Sequence, residues 1–73
     1  MVEWNIQRYN ETIYFSPGII ELNGGYAIAC QSIIDDEDFI FWSGVEWEQD
    51  RLAKKYNSEE EALEVLNKYF PAN

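Results

Sequence analysis

Ile19-Ile20-Glu21-Leu22-Asn23-Gly24-Gly25-Tyr26-Ala27-Ile28-Ala29-Cys30 reads as two strands joined by a tight turn. Asn23 and Gly24 accept left-handed backbone at low cost, which is what a short hairpin connection demands. Past the turn, residues 26–34 form the longest apolar stretch of the chain. In extended conformation Tyr26, Ile28 and Cys30 share one side, and Ala27, Ala29 and Gln31 the other. The small alanines predict a surface on which a helix packs closely. Working outward towards the N-terminus, Trp4, Ile6 and Arg8 alternate with Asn5, Gln7 and Tyr9, and Thr12-Ile13-Tyr14-Phe15 is rich in β-formers. Ser16-Pro17-Gly18 supplies a turn between them and the hairpin. Towards the C-terminus, Asp35-Asp36-Glu37-Asp38 reads as a charged turn and Phe39-Ile40-Phe41-Trp42 as a further strand. Ser43-Gly44 reads as a bulge or bend, with residues 45–47 continuing that strand.

The period then changes. Ser58-Glu59-Glu60-Glu61 is a capping box, in which the Ser58 hydroxyl accepts from the Glu61 backbone N–H. Three glutamates in the first turn and Lys68 in the last suit the helix dipole. Ala62, Leu63, Leu66, Tyr69 and Phe70 recur at helical spacing as one apolar stripe, and Pro71 closes the element. Residues 47–56 fit either a short helical turn or an extended link. The expected fold is α+β: an antiparallel sheet of about four strands followed by one C-terminal helix packed on it, with residues 1–73 forming a single acidic domain. At 73 residues the core is small, and three Trp, five Tyr and four Phe supply large rings to fill it.

The charge is segregated. The net charge of −9 lies wholly in residues 1–50, where the one base is Arg8; beyond them Glu59, Glu60, Glu61 and Glu64 are balanced by Arg51, Lys54, Lys55 and Lys68. Such a field repels nucleic-acid and membrane phosphates and attracts basic protein surfaces. The sequence contains no histidine, which removes the usual general base and the commonest metal ligand. Cys30 is a lone cysteine in an apolar alternating run, as suits an inert buried thiol, and it forms no internal disulfide. Gly24-Gly25 belongs to a turn, with no helix carrying Lys and Ser/Thr after it to make a phosphate cradle. Neither a catalytic constellation nor a cofactor motif is present, so the expectation is a non-enzyme without cofactor or bound metal. The N-terminus carries no basic region followed by an apolar run, and no apolar run approaches the roughly 20 residues that span a bilayer. A cytoplasmic location is the matching expectation.

Two acidic groups carry the candidate site. Asp35, Asp36, Glu37 and Asp38 lack the central glycine and spaced ligands of a calcium loop, and read first as a solvated hairpin tip. Glu46, Glu48 and Asp50, if residues 45–50 are extended, lie on one face roughly 6.6 Å apart, with Val45 and Trp47 turned into the core. A row of anions at that spacing resembles the phosphates of one nucleic-acid strand, which proteins grip through Lys and Arg. It equally suits an edge strand protected from sheet-to-sheet pairing. Spacing alone favours the second use; the segregated charge weighs towards the first. Phe39-Ile40-Phe41-Trp42 carries bulky groups on both faces, so one face packs on the helix and the other calls for further cover.

The run Ala53-Lys54-Lys55-Tyr56-Asn57-Ser58-Glu59-Glu60-Glu61-Ala62-Leu63 resembles a pattern in small proteins of phages and other mobile elements, which pair a β-meander with a basic-aromatic stretch, a capping box and one short helix. Gly24-Gly25-Tyr26 and residues 47–50 hold similar relative places, so the resemblance covers about the last fifty residues. It implies an accessory protein of phage type, a class in which many members inhibit host defence and some acidic ones mimic DNA. The functional expectation is therefore an anti-CRISPR-like inhibitor acting by binding. Its acidic surface meets a basic, nucleic-acid-binding protein through Asp35, Asp36, Glu37, Asp38, Glu46, Glu48 and Asp50, with Trp42 as aromatic anchor. The alternative is a small structural or regulatory module that self-associates, as a homodimer, through an aromatic sheet face.

Overall fold

A computed structural model describes residues 6–9 and 11–70. Strand β1 (Ile6–Tyr9) pairs antiparallel with β2 (Thr12–Phe15) as a hairpin. A four-stranded antiparallel meander follows: β3 (Gly18–Leu22), β4 (Gly25–Gln31), β5 (Phe39–Trp42) and β6 (Trp47–Glu48), in that spatial order. A 3-10 turn (Asp50–Leu52) leads to α1 (Glu59–Tyr69), the one α-helix among the described residues. The fold is α+β, with one helix packed on an antiparallel sheet. The expected first strand residues Trp4 and Asn5, and the helix-closing Pro71, lie outside the described residues.

The β3–β4 turn forms as its composition demands: Asn23 and Gly24 both take positive φ, 49° and 83°. β2 and β3 behave as one bent strand beside β4. Gly18 pairs with Ala29 and Tyr14 with Ser32, which leaves one more residue on the β2–β3 side than on β4. The extra residue lies between Tyr14 and Gly18, a span that includes Pro17, a residue sheets tolerate at bulges.

The pleat sorts the core. Ile28, Cys30, Ile40 and Trp42 share one face, because Cys30 pairs with Ile40 and successive side chains alternate. Helix α1 covers part of that face: Ala62, fully buried, meets Ile28 and Tyr56, and Val65, Leu66 and Phe70 pack around them. Tyr9 and Tyr14 of the β1–β2 hairpin cover the rest, over Cys30, Ile40 and Trp47. The close approach needs a small residue, and it is Ala62 of the helix that supplies it. The alanines of β4, expected to receive the helix, lie on the opposite face with Phe41, flanked by Ile20, Leu22, Phe39 and Ala53. On the helix itself Val65 takes a place on the apolar stripe, whereas Leu63 and Tyr69 stay largely exposed.

Ser58 caps α1, its Oγ accepting from Glu61 N at 3.1 Å. A pair of backbone hydrogen bonds ties the approach to the helix onto the sheet: Tyr26 N donates to Tyr56 O at 3.0 Å, and Tyr56 N to Tyr26 O at 2.7 Å. Gly25 makes room for this clasp, since a Cβ there would stand 3.3 Å from both Tyr56 O and Lys55 Cβ.

One expectation fails between β5 and β6. Ser43-Gly44 does not bend a continuing strand; it opens a reversal. Ser43 N and Oγ both donate to Glu46 O at 2.9 Å, and Ser43 Oγ accepts from Val45 N and Glu46 N. Gly44, at φ 102°, holds the left-handed corner. The chain turns back, pairs Trp42 with Trp47 and Phe41 with Glu48, and leaves Val45 81% exposed at the tip instead of in the core.

Candidate acidic docking surface

Asp35-Asp36-Glu37-Asp38 joins β4 to β5 as a built loop. Ser32 N donates to Asp38 O at 2.9 Å and closes it, and Asp38 N donates to Asp35 O at 3.0 Å. Ser32 Oγ accepts from Ile34 N and Asp35 N, and Asp35 Oδ1 accepts from Glu37 N at 2.9 Å. Short polar side chains that bond their own backbone are the residues that favour such a turn. Gln31 Nε2 adds a bond to Asp36 O at 3.1 Å. Asp38 is steadied from the neighbouring hairpin, where Tyr14 Oη donates to its Oδ2 at 3.4 Å. Burial, then the charge of Asp38, pushes the Tyr14 phenol above its ordinary pKa, so it remains a donor at neutral pH. All four acids of the loop are exposed.

The predicted row of Glu46, Glu48 and Asp50 does not form as a straight line. Regular strand covers only Trp47–Glu48. Glu46 belongs to the reversal, yet its carboxyl reaches Glu48: a hydrogen bond between the two pushes the Glu48 pKa up, and the charge of Glu46 adds to it. Asp50 leaves the row because the chain turns into the 3-10 segment there. The same β5–β6 reversal carries residues 48–50 back towards the start of β5, and so towards the acidic loop. Glu37 and Asp38 from the loop and Asp50 from the 3-10 turn thus line one open hollow of about 390 Å³, with Phe39, Phe41 and Gln49. Two acidic segments that look separate in the sequence are parts of one end of the sheet.

Trp42, expected as the anchor, faces away from this end. Pleat alternation puts it on the helix side, where its ring centroid lies 5.0 Å from Phe70, 5.3 Å from Trp47 and 5.9 Å from Tyr69. Its Nε1 is buried and has no hydrogen-bond partner among the described residues. The aromatic groups at the acidic end are instead Phe39 and Phe41, whose centroids lie 6.2 Å apart at a 37° tilt. Their β5 alternation was legible; their meeting with Asp50 depended on the reversal at Ser43–Glu46.

Among the described residues no three His, Cys, Asp or Glu side chains converge on a point where a metal ion would sit. Cys30 is fully buried, and burial pushes its thiol up to about 12, which keeps it protonated and unreactive at neutral pH. Among the described residues no helix is long and apolar enough to cross a membrane. Comparison with protein-family models, with curated proteins and with solved structures yields no match to this chain.

Proposed function

We propose that this protein acts by binding and not by catalysis, its acidic end docking on a basic, nucleic-acid-binding protein. A phage-type, anti-CRISPR-like inhibitor of a host defence complex, working in the host cytoplasm and occupying sites meant for DNA phosphates, is the concrete form of this reading. The observation that carries it is the gathering of exposed Asp35, Asp36, Glu37, Asp38 and Asp50 at one end of the sheet, from two segments of the chain. The lysines stand elsewhere: Lys54 lies over the Tyr56 ring and Lys68 over Tyr69. Arg51 follows Asp50, and its charge acts on Glu48, so the end carries a negative excess, which steers a partner of the other sign and repels phosphates.

The test is competition with a short DNA duplex for an effector complex of a CRISPR system. The protein should displace the duplex, and added salt should weaken the protein–effector complex steeply. Changing Glu46, Glu48 and Asp50 together to lysine should abolish displacement while the circular dichroism spectrum is kept. Displacement that survives the reversal, or binding indifferent to salt, overturns the proposal.

A second reading is favoured by one observation. Ile20, Leu22 and Phe39 are only half-buried on the sheet face opposite the helix, and such a face suits self-association. Light scattering at twice the monomer mass, reverting to the monomer in Phe39→Ser, would support it; a monomer at all concentrations would remove it.

A further inference from the structure

The hollow at the acidic end has an aromatic wall as well as a charged rim, and the two together restrict what fits. Glu37, Asp38 and Asp50 line it with carboxylates, Gln49 with an amide, and Phe39 and Phe41 with two rings. Phosphate groups are repelled there. An uncharged apolar ligand would leave carboxylates stripped of water without a partner, which is unfavourable. A small metal ion has no converging set of three ligands among the described residues. A cation with a flat, weakly hydrated face satisfies rim and wall at once, and among protein side chains that description belongs to arginine.

We infer that this hollow receives an arginine side chain presented by a basic segment of a protein partner. The inference rests on the reading of the acidic end as a docking surface and names the group that surface recognises. A guanidinium forks to carboxylates through two parallel N–H groups while its plane stacks on an aromatic ring. One acceptor, and the backbone that carries two of them, are held in place beforehand. Asp38 is fixed by Tyr14 Oη, and the loop that carries Glu37 and Asp38 is closed by the Ser32–Asp38 and Asp35–Asp38 backbone bonds. Pre-fixed acceptors cost less ordering on binding than mobile ones. A volume of about 390 Å³ suits one long side chain, and it lies at the low end of the roughly 300–1,000 Å³ that small-molecule sites occupy.

The experiment titrates the isotope-labelled protein with three blocked tripeptides, Gly-Arg-Gly, Gly-Lys-Gly and Gly-citrulline-Gly, and follows backbone amide shifts. Shifts should concentrate at Phe39, Phe41, Gln49 and Asp50. Arginine should bind at least roughly threefold tighter than lysine, and citrulline should leave the spectrum unchanged. Asp50→Asn and Phe39→Leu should each weaken the arginine peptide by roughly threefold to tenfold, whereas Glu46→Gln, equal in charge to the first but outside the hollow, should cost less than about twofold. Equal binding of arginine and lysine, with Glu46→Gln as harmful as Asp50→Asn, overturns the arginine site and leaves a merely charged docking surface standing. Absence of salt-sensitive binding to either basic peptide, together with failure to displace DNA from an effector, overturns both readings.

Discussion

The two faces of the sheet are closed by different means. On one, Ile28, Cys30, Ile40 and Trp42 lie under a helix and a hairpin, and Ile28 and Cys30 are fully buried. On the other, Ala27 and Ala29 are equally buried, yet among the described residues no α-helix covers them; Phe41, Ile20, Leu22 and Ala53 close over their small side chains, and Phe39 remains half-open beside the carboxylates. A small domain has too few elements to cover both faces of a sheet. This one spends its helix and hairpin on the large side chains and keeps the other face narrow by using alanine. Stability therefore concentrates on the first face, and the part of the second that stays open is where charge gathers.

That contrast has measurable edges. The largest effect should be on Cys30: its reaction with a thiol reagent at pH 8 should be slower in the folded protein than in denaturant by on the order of a thousandfold, because the thiol is reached only through opening of the sealed face. Labelling as fast as in the unfolded chain would mean that the helix and hairpin do not seal it. Next, Ile28→Ala should cost about 2–4 kcal/mol in urea unfolding, while Phe39→Leu on the open face should cost less than about 1.5 kcal/mol; equal losses would erase the distinction between the faces. Ser58→Ala removes the acceptor for Glu61 N and should cost about 1 kcal/mol, loosening the helix that seals the first face.

The smallest effect concerns pH. The folded-state pKa of Glu48 is raised by Glu46, so the folded protein holds that proton more tightly than the unfolded chain does. The carboxyl pair thus disfavours folding at neutral pH, and the penalty is relieved as pH falls through the raised Glu48 value. Glu48→Gln should then be slightly the more stable protein near pH 7 and lose that advantage on acidification, a trend that thermal unfolding between pH 4 and 7 would follow. A constant difference across that range would mean that the two carboxyls do not interact. Cys30, raised by burial to about 12, acts in a higher window: its contribution is intact below the ordinary thiol range and is lost as pH climbs towards 12.

Much of the architecture was legible because its signals are local. Asn23-Gly24 sets the hairpin, Ser58 caps the helix, and the alternation of residues 26–31 separates two faces, all through chemistry within a few residues. Which face received the helix was not local. Alanines in β4 suggested close approach, but Ala62 of the helix and the size of Ile28 and Trp42 decided the matter. The reversal at Ser43–Glu46 was hidden for a different reason. It depends on a serine hydroxyl and one glycine in place of the Asn-Gly pair that announces a tight turn. Everything about the hollow follows from that reversal. Read as a continuing strand, residues 45–50 carry Asp50 away from the acidic loop; folded back, they deliver it there.

The clasp between Tyr26 and Tyr56 has a consequence for the order of assembly. The strand pairings join neighbours in the meander, so the sheet forms with short loop closures and low topological cost. The clasp is different: it joins the start of β4 to the threshold of the helix, across everything between. The strands precede residue 56 in the chain, so the part of the face that α1 covers, around Ile28, stays open until the clasp forms, while the β1–β2 hairpin can already lie over Cys30 and Ile40. Arrival of residues 56–70 is what closes that part of the face, and a nascent chain stalled short of Tyr56 would present it to chaperones.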